Sequence, residues 1–74
     1  MYPAVYWCTF YDEVDKKMVS ISGCTFGDNF TDVMQKIESY YGDTLNDVKI
    51  ELMYPSSVIE FKTYEEAKKI VSDV

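Results

Sequence analysis

Apolar and polar positions switch along the chain between a period of two and a period near 3.6, and each switch marks an element. Residues 4–11 (Ala-Val-Tyr-Trp-Cys-Thr-Phe-Tyr) form a dense run of aromatic and β-favouring side chains, closed by the charged stretch Asp12-Glu13-Val14-Asp15-Lys16-Lys17. This predicts a strand followed by a loop. In residues 18–25, Val19 and Ile21 alternate with Ser20 and Ser22, the period of a strand covered on one face. The two strands are expected to form a hairpin.

Gly27-Asp28-Asn29 then supplies a turn and an N-cap, and Phe30, Val33, Met34, Ile37 and Tyr40 or Tyr41 recur at three- and four-residue spacing until Gly42. That is an amphipathic helix stopped by glycine. Val48, Ile50 and Leu52 alternate with Lys49, Glu51 and Met53, giving a third strand that ends at Tyr54-Pro55, where proline cannot donate to a ladder. Ser56-Ser57 turns the chain into a short fourth strand over 58–62. Thr63-Tyr64-Glu65-Glu66 is a capping box, in which hydroxyl and carboxylate each satisfy an orphaned backbone N–H. The second helix that follows carries Tyr64, Ala67, Ile70 or Val71, and Val74 on one stripe, with Glu65, Lys68, Lys69 and Asp73 outside it.

The order is ββαββα, a single α+β domain over 1–74. Short loops make strands 1 and 2, and strands 3 and 4, antiparallel neighbours. Strand 2, helix 1 and strand 3 form a right-handed crossover with room for one strand between its ends. With strand 4 in that place the four-stranded antiparallel sheet has order 1-2-4-3, both helices on one face and the other face open. This is a ferredoxin-like arrangement circularly permuted by moving its last strand to the front. Val19, Ile21, Val48, Ile50, Leu52, Ile59 and Phe61 are then expected to face the helices, leaving Ser20, Ser22, Lys49, Glu51, Glu60 and Lys62 on the open face. Strand 1 is large on both sides, so its facing depends on hairpin register. With Tyr11 opposite Met18, Tyr6, Cys8 and Phe10 point inward. Val5, Trp7, Thr9 and Tyr11 point outward on an edge strand, with Trp7 beside Ser22.

Composition narrows the chemistry. The chain has 74 residues, 47% of them hydrophobic, with seven Tyr, four Phe and one Trp. It is too apolar for disorder, and too short for more than a marginal core, which a partner or self-association can complete. It contains no His and no Arg, and thirteen acids against seven lysines give a net charge of −6. Imidazole bases, His-containing zinc sites and bidentate arginine readers of phosphate or guanine are thereby excluded. No enzyme, cofactor or metal site is expected. Cys8 and Cys24 point to opposite faces in the favoured register and belong to no Cys-x-x-Cys motif, so neither a disulfide nor a thiolate site is expected. The tetrad 12–15 lacks the glycine and distal glutamate of a calcium loop and reads as a solvated hairpin turn. Neither a membrane-spanning stretch nor a secretory leader is visible, which points to the cytoplasm.

Residues 58–70 (Val-Ile-Glu-Phe-Lys-Thr-Tyr-Glu-Glu-Ala-Lys-Lys-Ile) resemble the third-strand and second-helix stretch of RNA recognition motif domains, where a Phe-Val-x-Phe strand runs into a Glu-x-x-Ala helix. That family stacks bases on aromatics that would fall here at Ser56, Val58 and Ser20. None of the three is aromatic, and an acidic chain lacks the phosphate attraction that supplies most of the remaining affinity. Direct nucleic-acid binding is not expected.

Two surfaces remain as candidates. Trp7, Tyr11 and nearby Met18 offer an aromatic contact of the kind that anchors protein interfaces; the alternative is that the strand 1 aromatics simply fill a small core. Asp28, Asp32, Glu38, Asp43, Asp47 and Glu51 stand against only Lys36 and Lys49 over 28–51. They are expected to form an acidic flank on helix 1 and an edge strand 3, serving either solubility and edge protection or docking on a basic surface. In size, acidity and self-contained fold the chain resembles phage-encoded inhibitors of bacterial defence, including anti-CRISPR proteins. The resemblance implies a non-enzymatic inhibitor of a host defence or nucleic-acid-handling protein. The alternative is a homo-oligomeric regulatory or small-ligand-sequestering domain, paired through the open sheet face or strand 1.

Overall fold

The computed structural model describes residues 1–54 and 56–72, the side chains of Val71 and Ser72 excepted. The elements are β1 (Tyr2–Asp12), β2 (Lys17–Gly27), α1 (Phe30–Tyr41), β3 (Asn46–Leu52), β4 (Ser57–Phe61) and α2 (Tyr64–Ser72). The expected ββαββα order forms. The stop at Pro55, the stripe positions Val71 and Val74, and Asp73 lie outside the described residues.

β1 and β2 pair without interruption from Tyr2↔Gly27 to Asp12↔Lys17, with Tyr11 opposite Met18 as the favoured register requires. The Asp12 carboxylate closes the hairpin by accepting the N–H groups of Val14 (2.9 Å) and Asp15 (3.3 Å), an Asx turn.

The sheet order is β2-β1-β3-β4, which corrects the expected 1-2-4-3 and with it the permuted ferredoxin-like order. The crossover does leave room for one strand, since β2 and β3 both run antiparallel to β1. That strand is β1, however, and not β4. β1 has eleven residues and β4 five, so β1 can match the full length of β2 on one side while β3 takes its other side. β1 and β3 are therefore interior strands, and β2 and β4 are the edges.

The facing of β3 follows its period. Val48, Ile50 and Leu52 are buried in one cluster with Tyr6 and Cys8 of β1, Val33, Met34 and Ile37 of α1, and Ala67 of α2, and Phe30 and Ile70 pack against it. Asn29 caps α1 by accepting the Asp32 N–H at 2.9 Å, and Gly42, at φ 83°, ends it by donating its N–H to the Glu38 carbonyl at 2.8 Å. At α2 the Thr63 hydroxyl accepts the Glu66 N–H, as a capping box requires. The Glu66 carboxylate instead accepts the N–H of Lys62, one residue earlier than expected.

Beneath the C-terminal half of α1, Tyr6 and Tyr41 share a hydroxyl–hydroxyl hydrogen bond of 2.7 Å, and Tyr40 shares one with Thr25 at 3.2 Å. Gly23 makes room for this network, because a Cβ there would stand 2.5 Å from the Tyr6 hydroxyl oxygen and 2.7 Å from its ring. Gly23→Ala should displace a buried ring and destabilise the fold by about 1–3 kcal/mol, the usual cost of overpacking. Urea unfolding monitored by tyrosine fluorescence checks this, and an unchanged midpoint would show that the ring has space to move.

Candidate functional site

Both helices lie against one side of the sheet, so the residues of opposite parity form its other face. The register sets them in rows: Cys24–Val5–Glu51–Val58, then Ser22–Trp7–Lys49–Glu60. Trp7 is therefore outward and beside Ser22, as expected. It stands on an interior strand rather than an edge, near the middle of the bare face. It is 39% exposed, and the Lys49 ammonium lies 5.2 Å from its ring centroid while reaching Glu60 at 3.9 Å.

The ladder shifts next to Trp7. Pairing passes from Trp7↔Lys49 to Thr9↔Asn46, so β3 carries an extra residue there. Asp47 takes the left-handed conformation at φ 50°, which Asp tolerates better than most residues. The bulge leaves Asn46 Oδ1 buried without a partner among the described residues. β-Bulges and positive-φ residues of this sort re-aim side chains at binding sites. Here Asp47 lines two open hollows on either side of the indole. One, of about 290 Å³, lies toward Thr9, Ser20 and Ser22; the other, of about 240 Å³, lies toward Lys49, Glu60 and Lys62.

Tyr11 and Met18 close the face at the hairpin end. Tyr11 is half-buried, its N–H donating to the Thr44 hydroxyl at 2.9 Å, and Met18 is exposed. Two further apolar residues, Phe26 and Val58, escape the sequence reading, while Cys24 lies outward as the favoured register requires. Phe26 is 55% and Val58 53% exposed, and Cys24 is exposed between Phe26 and Ser22 along β2. Phe26 falls on the even positions that Ser20 and Ser22 begin, and carrying that alternation on through Cys24 would have found it. The Lys36 ammonium donates to its carbonyl.

The six acids do not form one flank. Asp28 pairs with the N-terminal amine at 2.8 Å, and that contact holds its carboxyl below the usual range. Asp32 accepts the Asp28 N–H at 3.0 Å. Glu38 accepts the Tyr64 hydroxyl proton at 2.9 Å, which raises the Tyr64 pKa. These three are engaged at the start of α1 and between the helices. Asp43 and Asp47 are exposed in and just after the turn that leads into β3, and half-buried Glu51 sits on the open face between Val5 and Val58. Since β3 is interior, its charges do not guard an edge.

The two thiols differ sharply. Cys8 is buried on the helix side, and burial pushes its pKa up from 9.0 to about 11; Cys24 is exposed, and both are free. A thiol reagent at neutral pH should therefore label Cys24 alone in the folded protein and both cysteines after denaturation. Rapid double labelling of the native state would contradict this. Because the folded thiol holds its proton to higher pH than the unfolded one, the folded state binds more protons above about pH 9. Stability should thus be fully present below that pH and fall as pH rises towards 11. Tyr6, whose pKa is also raised by burial and by Tyr41, acts in the same direction.

An indole flanked by carboxylates, ammoniums and hydroxyls on a shallow face can stack, pair ions and exchange hydrogen bonds with a macromolecular surface. No family model, curated protein or solved structure matches this chain at a significant level. Among the described residues no helix is long and apolar enough to cross a membrane.

Proposed function

We propose that this chain is a small, acidic, non-enzymatic protein-binding module that docks on a basic surface of its partner through the open sheet face around Trp7. Inhibition of a host defence or nucleic-acid-handling protein in the cytoplasm, in the manner of phage-encoded inhibitors, is the biological role this reading favours. The observation that carries it is the exposure of Trp7 in the middle of a sheet face that no other described element covers. Interface anchors are typically aromatic, central and ringed by polar groups. Asp47 beside the indole gives an incoming lysine or arginine both a carboxylate and a π-face. The net charge of −6 attracts a basic partner at long range.

Affinity capture from a host lysate supplies the partner, and association kinetics test the reading. Asp43→Lys with Asp47→Lys should slow association by about 10-fold or more at low salt, with the difference shrinking as ionic strength rises. Asp32→Asn and Glu38→Gln, whose carboxylates serve the helices, should change thermal stability and leave association unchanged. Equal association rates at low salt for the Asp43→Lys, Asp47→Lys double variant, Asp32→Asn and Glu38→Gln would overturn electrostatic docking.

A further inference from the structure

β2 is an edge strand of eleven residues in unbroken pairing, and from Met18 to Gly27 it contains neither a charge nor a proline. Natural edge strands of this length are usually blunted by lysine, proline or a bulge. The other edge, β4, has five residues and bears Glu60.

The free backbone groups on β2 can be assigned. Antiparallel pairs alternate between exchanging two hydrogen bonds and exchanging none. Pro3, opposite Phe26, has no N–H to give, and its carbonyl accepts the Met53 N–H on the β3 side at 3.1 Å. Tyr11 likewise directs its N–H away from β2, to Thr44. The odd-numbered residues of β1 therefore face β3, and their partners Met18, Ser20, Ser22, Cys24 and Phe26 direct their N–H and C=O groups outward from the sheet. Of these, the Phe26 carbonyl is taken by the Lys36 ammonium. Among the described residues the stretch left open is Met18 to Cys24, and Ile21 is its centre.

We infer that β2 pairs antiparallel with β2 of a second copy, centred on Ile21, to form a two-fold symmetric dimer with one continuous eight-stranded sheet. The pairing sets Ser20 opposite Ser22 of the second copy and brings the two Ile21 side chains together on the helix side, where α1 leaves each 37% exposed. A second copy is the occupant that the charge selects. The chain as a whole is acidic, but this edge is neutral, so self-pairing meets no like charge across the strands. A basic strand would find no carboxylate on it. The dimer also places two Trp7 faces on the same side of the extended sheet, and it does not depend on what those faces bind.

Light scattering from low micromolar to near-millimolar concentration should show the mass of two chains. Ser22→Pro, where the lost N–H points outward, and separately Ser20→Lys with Ser22→Lys, should each return the mass of one chain while the far-ultraviolet circular dichroism stays that of the folded protein. Trp7→Ala should remain dimeric. A wild-type protein of one-chain mass throughout, or a dimer that survives the double lysine variant, would overturn the proposal. So would one that Trp7→Ala dissolves. Loss of partner binding by Trp7→Ala with the dimer intact concerns the docking face alone, so the two readings can fail separately.

Discussion

Ile50→Ala is expected to lower the stability of this protein by about 2–5 kcal/mol, the range for truncating a large aliphatic side chain in a packed core. Ile50 is fully buried, stands between Tyr6 of β1 and Ile59 of β4 in the ladder, and belongs to the cluster under both helices. A domain of 74 residues has a total stability of roughly 4–11 kcal/mol at the usual per-residue value, so the variant would stand near the limit of folding. Its melting temperature should fall by about 4–8 °C for each kcal/mol. The neighbouring Lys49→Ala, on the opposite face of the same strand, should change stability by no more than about 0.5 kcal/mol. Urea unfolding of the two variants side by side reads the layer assignment directly. Equal losses would mean that β3 does not have one covered side and one bare side.

Trp7→Ala has the largest expected effect on recognition. Central aromatic anchors cost about 2–4 kcal/mol on truncation, a loss of roughly 30- to 1,000-fold in affinity. The fold should survive, because the indole is 39% exposed and its contact with Lys49 is a surface cation–π pair of modest strength. Titration calorimetry against the captured partner, paired with a thermal melt, separates the two effects. A variant that binds as tightly as the parent would remove Trp7 as the anchor, and a variant that unfolds would make it a core residue.

Much of this architecture is legible along the chain because side-chain period reports which way a residue faces. The alternation of Val48, Ile50 and Leu52 with Lys49 and Glu51 fixes the layers, and Asn29, Gly42 and Thr63 bound the helices through local hydrogen bonds. Hairpin register was legible too, since one slip would have exposed Tyr6 and Cys8 and buried Trp7.

Period does not say which strands are neighbours. The place between β2 and β3 could be filled by β4 or by β1, and what decides is the match of lengths and the full set of ladder bonds that β1 gains from two partners, extended by Thr44 to the Tyr11 N–H. The bulge at Asp47 follows from fitting β3 to that longer strand, so its positive φ leaves no mark in the composition. Nor does a count of acids show that Asp28, Asp32 and Glu38 are held by an amine, a helix cap and a tyrosine hydroxyl, while Asp43 and Asp47 remain exposed.

If recognition belongs to the bare sheet face, the single tryptophan of the chain reports on it without interference. Fluorine NMR of fluorotryptophan-labelled protein should give one resonance that senses solvent in the free state. On saturation with the captured partner it should shift and lose contact with water. A resonance that keeps its position and its solvent exposure in the saturated complex would contradict recognition through this face.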